Sequence, residues 1–149
     1  MQVREIMTAL AITCTPETSL GVAASRMADA DCGILPVVNE RGSLVGVITD
    51  RDICLAVSRT NRNALNISVR EVMTPKVVSV RPGDDMRQAL ALMRSARVRR
   101  VPVVDDARCV VGLLSIDDLI VRGSPVDEVG AREIVETLYE VAARRSHAA

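Results

Sequence analysis

Leu44-Val45-Gly46-Val47-Ile48-Thr49-Asp50-Arg51-Asp52 is the stretch that decides how this chain is read. Leu44 to Ile48 is a short apolar run rich in β-branched side chains, the composition of a buried strand. Thr49 is placed to cap a helix, and Asp52 follows three residues later, as in a capping box. The device recurs as Val110-Val111-Gly112-Leu113-Leu114-Ser115-Ile116-Asp117-Asp118. Each copy has a Gly, two apolar residues, a hydroxyl residue, two further residues and an Asp. Two roles are open to it. It can start a helix, or it can hold a ligand at a helix start, where free backbone N–H groups suit a phosphate.

The repetition covers far more than this stretch. Val3-Arg4-Glu5-Ile6-Met7-Thr8 returns as Val69-Arg70-Glu71-Val72-Met73-Thr74, a shift of 66 positions from Met7 to Met73. The same shift carries Pro16 to Pro82, Ala23 to Ala89, Met27 to Met93, and Leu35-Pro36-Val37-Val38 to Val101-Pro102-Val103-Val104. Matches at fixed register over so long a span mean that one unit is written twice.

Each copy reads β-α-β-β-α. A lead-in segment ends in Met-Thr, and a strand is expected at Ile12 to Thr15 and at Val77 to Val80. A proline turn follows. A helix then starts at Thr18 or Ser19 with a stripe of Leu20, Ala23, Ala24 and Met27, and at Asp84 or Asp85 with Met86, Ala89, Leu90 and Met93. Strands are expected at Ile34 to Val38 and Val101 to Val104. The opening stretch follows, making Val37-Val38 and Val45-Gly46 a hairpin pair. Second helices are read over Arg51 to Val57 and Asp117 to Arg122. The strand before the first helix should lie parallel, being reached by a crossover. The boundaries read as 1–58 for the first repeat, 59–68 for a polar linker, 69–122 for the second repeat and 123–149 for a C-terminal helix and tail. That helix is read over Asp127 to Arg145. Its stripe is Ile134, Val135, Leu138, Val141 and Ala142, with Arg144-Arg145 suiting the helix dipole at its end. The stripe can cover its own module or meet a second copy or a partner.

Composition bounds the function. The 149 residues carry 19 Lys plus Arg against 19 Asp plus Glu, which disfavours a protein built to coat nucleic acid or an anionic membrane. With Tyr139 the only aromatic, the core must be aliphatic. No apolar run is long enough to span a bilayer, and the first residues lack the plan of a signal peptide, so a cytoplasmic protein is expected. Cys14, Cys32, Cys54 and Cys109 form no C-x-x-C pair, and the lone His147 sits near the end of the chain. Free, mostly buried thiols are expected, with no zinc site. An enzyme is poorly supported, since no cysteine has an evident activating base and no close carboxylate pair is evident.

The doubled pattern resembles a tandem pair of cystathionine-β-synthase (CBS) domains, a Bateman module, as in stand-alone bacterial CBS-pair proteins. The motifs that carry this are Met-Thr in each lead-in, Leu35-Pro36-Val37-Val38 with Val101-Pro102-Val103-Val104, and the two Gly-to-Asp stretches. The resemblance covers residue 1 to about residue 122. It implies an α/β fold of two β-α-β-β-α repeats packed by pseudo-twofold symmetry, plus a C-terminal helix. It also implies regulatory adenosine-containing ligands (AMP, ADP, ATP or S-adenosylmethionine) in two clefts between the repeats, with no obligatory cofactor. A homodimer and an effector partner are implied too. The alternative is a structural dimerisation module whose clefts are vestigial.

The residues fit such ligands chemically. A hydroxyl at Thr49 or Ser115 can donate to a phosphate or ribose oxygen, and Asp52 or Asp118 can accept from ribose hydroxyls. Arg99 and Arg100 stand where the first copy has Gly33 and Ile34, and a guanidinium suits phosphate. Gly33 lets a flat base approach the backbone. Ile12, Ile34, Val77, Val78 and Val98 are candidate walls for adenine. Lys76, opposite Leu10 in the other copy, can meet a phosphate. By the family resemblance, Thr8, Ile12 and Gly33 to Pro36 (Ile34 and Leu35 between them) face Ser115, Asp118 and Arg100. Likewise Thr74, Lys76, Val78 and Val98 to Pro102 (with Arg99, Arg100 and Val101) face Thr49 and Asp52. A phosphorylated ligand is expected at the cleft that uses the basic residues of the second copy.

Overall fold

The computed structural model describes residues 1–122 and 130–146, the side chains of 144–146 excepted. The elements in chain order are α1 (Val3–Ile6), β1 (Thr8–Ala9), α2 (Leu20–Asp29), β2 (Ile34–Val38), β3 (Leu44–Thr49), α3 (Asp50–Thr60), β4 (Thr74–Pro75), α4 (Met86–Ala96), β5 (Arg100–Val104), β6 (Val110–Ser115), α5 (Ile116–Arg122) and α6 (Ala131–Ser146). They form two compact units, and these are cut differently from the sequence repeats. A first-copy unit comprises Ala11–Val77 and Ala107–Val110. A second-copy unit comprises Met1–Leu10, Val78–Asp106 and the residues from Val111 on. Each lead-in therefore belongs to the unit of the other copy.

The first-copy unit has a three-stranded sheet in the order β2-β3-β4, antiparallel throughout. Its helix α2 starts at Ser19, whose hydroxyl accepts from the Val22 amide at 3.3 Å. The helical stripe buries Leu20, Ala23 and Met27 against Leu35, Val37, Ile48 and Ile53. Strand β3 alternates buried and half-buried residues, the pattern of a strand with one face on the core. The segment after α3 is no free tether. Asn61 takes a left-handed conformation at the end of α3, and Ile67 and Val69 then enter the core.

The second-copy unit repeats this plan with the sheet order β1-β6-β5. Asp85 caps α4 by accepting from the Arg87 amide at 2.8 Å. Met86, Ala89, Leu90 and Met93 pack with Val101, Val103, Leu114, Ile116 and Leu119. Val3 and Ile6, from the first lead-in, complete that core. Both cores are aliphatic, and Tyr139 is 75% exposed.

The strands expected at Ile12 to Thr15 and Val77 to Val80 shrink to one bridged residue each. Cys14 bridges Val37 and Val80 bridges Val103, both parallel as a crossover demands. The turn that follows takes the backbone groups a longer ladder would need. The Thr15 amide donates to Thr18 Oγ1, and the Arg81 amide donates to Asp84 Oδ2. Helix α3 extends to Thr60, three residues beyond the expected Val57.

Helix α6 is described from Ala131; the expected start at Asp127, with residues 123–129 and the tail 147–149 that holds His147, lies outside the described residues, as do the side chains of Arg144 and Arg145. Ile134 and Leu138 pack on the core of the second-copy unit, and Val141 is buried. Arg87–Glu133 (3.5 Å) and Arg94–Glu136 (3.8 Å) flank that seam between α4 and α6. Val135 and Ala142, expected on the same stripe, are exposed. The cysteines are free, and only Cys14 is buried; Cys54, expected inside, is exposed. Among the described residues, no helix is long and apolar enough to cross a membrane.

Candidate functional site: two strand–helix junctions

The opening stretch folds as its pattern implies. Strand β3 runs into α3 with Thr49 as the N-cap in extended conformation. The capping box closes reciprocally. Thr49 Oγ1 and the Thr49 amide both donate to Asp52 Oδ2, at 2.7 and 3.0 Å, and the Asp52 amide donates to Thr49 Oγ1 at 3.2 Å. In the second-copy unit, Ser115 Oγ and the Ser115 amide donate to Asp118 Oδ2 at 2.7 and 3.0 Å, and the Asp118 amide returns a bond to Ser115 Oγ at 2.9 Å. One carboxylate oxygen of each Asp is thus committed to starting its helix. The other oxygen, Oδ1, lies outside the capping box in each.

The lead-ins meet these junctions. In the first-copy unit Thr74 lies opposite Val47 and Pro75 opposite Gly46. In the second-copy unit Thr8 lies opposite Leu113 and Ala9 opposite Gly112. Thr8 Oγ1 donates to Asp118 Oδ1 at 3.4 Å. Each junction is therefore built from the lead-in threonine of one sequence copy and the Ser/Thr–Asp box of the other. Both lead-ins end on a left-handed residue without being glycine: Leu10 at φ 55° and Lys76 at φ 57°. Both side chains are exposed, Leu10 at 91%.

The remaining candidates divide between the units. Gly33, Ile34, Pro36 and Ile12 belong to the first-copy unit with Thr49, Asp52, Thr74 and Lys76. The Gly33 carbonyl accepts from the Asp50 amide at 3.2 Å, and Ile34 pairs across from Thr49. Ile12 is 45% exposed. Val78, Val98, Arg99, Arg100 and Pro102 belong to the second-copy unit with Thr8, Ser115 and Asp118. The Arg99 carbonyl accepts from the Ile116 amide at 3.0 Å, and Arg100 pairs with Asp117 at 3.4 Å. The basic residues of the second copy therefore do not gather in one unit: Lys76 stands with the first-copy junction, Arg99 and Arg100 with the second. Leu35 and Val101 are fully buried in the two cores and present no side chain to a ligand. Val78 and Val98 are half-buried against the core.

Two features escaped the sequence reading. Arg122 donates to the carbonyls of Ile6 and Met7 and stands 3.9 Å from Asp118 Oδ1. Its counterpart is Ala56, and a comparison of the two copies at that position holds the signal. A cavity of about 500 Å³ in the first-copy unit is lined by residues of α2 and α3 and by Asp31, Cys32 and Gly33 in the turn that follows α2. Of the candidate residues it touches only Gly33.

Comparison with known proteins agrees with this architecture. A family model for the CBS domain matches residues 3–59 and again 69–123. The chain is 35% identical over 129 residues to the CBS domain-containing protein YhcV of Bacillus subtilis, a match covering 87% of this chain and 90% of that one. It is 34% identical over 111 residues to the inosine-5'-monophosphate dehydrogenase of Methanocaldococcus jannaschii, where the match spans 74% of this chain but 21% of the enzyme. Among solved structures, the CBS domain pair of protein MJ0100, in complex with 5'-methylthioadenosine and S-adenosyl-L-methionine, resembles this chain with a TM-score of 0.73 at 30% identity, over 80% of this chain and 93% of that one. CBSX2 of Arabidopsis thaliana, in complex with AMP, does so with a TM-score of 0.66 at 26% identity, again over 80% of this chain and 93% of that one. The chain belongs to the CBS domain family and carries that domain twice.

Proposed function

We propose that this chain is a regulatory module that binds an adenosine-containing ligand at its strand–helix junctions and signals occupancy to a partner. The observation that supports it best is the doubled junction. Each one brings a Ser/Thr hydroxyl and a carboxylate with one oxygen outside the capping box to a single helix start, with a lead-in threonine paired to the strand that feeds it. A ribose diol presents two donors to such a carboxylate, and a helix start suits the phosphate. The solved CBS pairs with bound S-adenosylmethionine, 5'-methylthioadenosine or AMP lend the ligand class. AMP, ADP, ATP and S-adenosylmethionine are the candidates. No cofactor is needed for this role, and no catalytic one is assigned, since the junction carboxylates are spent on caps and recognition. The signal is a population shift: a ligand that favours one conformation moves the equilibrium toward it by its differential affinity. The module works as a cytoplasmic homodimer read by an effector protein, with repeats at 1–58 and 69–122.

A thermal-shift panel of AMP, ADP, ATP, S-adenosylmethionine and NAD tests this. A ligand that binds only the native state adds about 2.7 kcal/mol at a hundredfold excess over Kd, a clear rise in Tm. The shift should vanish when Asp52→Ala and Asp118→Ala are combined. A second reading, a structural dimerisation module with vestigial clefts, is favoured by one observation: both capping boxes are complete without a ligand. It stands if no member of the panel moves Tm at millimolar concentration.

A further inference from the structure

The two junctions differ in what occupies the second carboxylate oxygen. In the first-copy unit, Asp52 Oδ2 carries both bonds from Thr49, and Oδ1 has no hydrogen-bond partner among the described residues. In the second-copy unit, Asp118 Oδ2 is equally committed to Ser115, but Oδ1 is engaged as well. Thr8 Oγ1 donates to it at 3.4 Å, and Arg122 Nη2 stands 3.9 Å away. The Arg122 guanidinium is fixed from its other side, where Nη1 donates to the Ile6 carbonyl at 3.2 Å and the Met7 carbonyl at 3.3 Å. It ties the lead-in to α5 and holds a positive charge against the carboxylate. The corresponding residue in the first copy is Ala56, which has no charge or donor to offer.

We propose that Arg122 is a specificity-determining residue that closes the Ser115–Asp118 junction to a ribose diol, so that the chain takes one adenosine ligand rather than two. This rests on the adenosine reading above and deepens it. A ribose diol needs a carboxylate oxygen with free lone pairs. At Asp118 Oδ1 the Thr8 hydroxyl takes one lone pair and the Arg122 guanidinium stands beside it at 3.9 Å, so a diol must displace a side chain anchored on two backbone carbonyls. A second difference points the same way. The lead-in of the first-copy junction ends in Lys76, an exposed cation, where the other lead-in ends in Leu10. Arg100, which faces the second-copy junction, is drawn to Asp117 at 3.4 Å. Arg99 remains on that side, so the asymmetry is set by the carboxylate and not by the count of cations.

Isothermal titration of the full chain with AMP and, separately, with S-adenosylmethionine tests the inference by stoichiometry, which a purely structural role for Arg122 would not raise. Wild type should bind one ligand per chain, and Asp52→Asn should weaken that event at least tenfold. Arg122→Ala should add a second event. Arg122→Gln, which keeps a donor for the carbonyls but loses the charge, should do so too if the alanine variant does not fold. Arg122→Lys, which keeps the charge, should stay at one. Two sites in wild type, or one site in both Arg122→Ala and Arg122→Gln, overturns the inference and leaves the adenosine reading intact. No binding of either ligand to wild type or to any Arg122 variant overturns the adenosine reading and the inference with it.

Discussion

Gly112 passes so close to Thr8 that a Cβ on the glycine would lie 2.8 Å from the threonine carbonyl oxygen and 3.0 Å from the Met7 sulfur. The same relation holds in the other unit, where a Cβ on Gly46 would lie 2.9 Å from the Thr74 carbonyl and 3.1 Å from the Met73 sulfur. The glycine of the repeated stretch and the Met-Thr of the lead-in are therefore two halves of one contact. Backbone cannot give way as a flexible side chain can. Gly46→Ala and Gly112→Ala should each lose about 1–3 kcal/mol in urea unfolding, the usual cost of overpacking. Gly83→Ala, whose Cβ would meet only the Arg4 Nη2 at 3.6 Å, should stay within about 0.5 kcal/mol of wild type.

The exchange of lead-ins makes a second prediction. Ile6 belongs to the first sequence copy but is buried in the core of the second-copy unit. Ile6→Ala should cost about 2–5 kcal/mol. Hydrogen exchange should speed up in Val101–Val104 and leave Leu35–Val38 protected. Val69→Ala, in the other lead-in, should loosen Leu35–Val38 instead.

Capping and recognition can be separated at Asp52. Thr49→Ala removes the cap of α3 and should cost about 0.5–2 kcal/mol. Asp52→Asn keeps one oxygen for the Thr49 donors but places an amide where the free oxygen stood. Its stability should fall by less than about 1 kcal/mol. Its affinity for the adenosine ligand should fall at least tenfold, so paired melts and titrations would show a binding loss out of proportion to the stability loss.

Glu71 gives a pH prediction. The Arg62 guanidinium at 2.8 Å, helped by bonds from Ser68, holds its carboxyl at about 2 against an ordinary 4.5. A value depressed by folding contributes stability above the unfolded value and loses it as pH falls through the folded one. The contribution should be intact above pH 4.5 and fade toward pH 2. Because the group lies at the surface, the effect is local. Carboxyl NMR titration should show the Arg62→Ala variant moving Glu71 back up toward 4.5.

The thiols should react in order of exposure. Burial pushes the Cys14 thiol up to about 11, so it carries little thiolate at neutral pH. Iodoacetamide on the native protein, followed by mass spectrometry, should label Cys54 first and Cys14 last. Early labelling of Cys14 would mean that its contact with Val37 opens readily.

The repeated stretches stated their own local structure. Alternation in Leu44 to Ile48, a hydroxyl at Thr49 and a carboxylate at Asp52 are enough to make a strand, a cap and a helix, because strand period and capping act over a few residues. The stripes of α2 and α4 were legible for the same reason. The strands expected near Cys14 and Val80 were not, since apolar runs do not reveal that the following turn will take their amides. Leu35 and Val101 belonged to a motif that suggested a ligand, yet their register on β2 and β5 points them into the cores.

The unit and its duplication rest on periodicity and short-range spacing, which a linear chain carries openly. Which lead-in joins which strand, and whether the second oxygen of each aspartate meets a donor, is settled only on folding. Arg122 reaches Met7 across 115 positions of sequence, and Thr8 reaches Asp118 across 110. Contacts at that range depend on where the chain returns after each helix, and no local pattern carries that information.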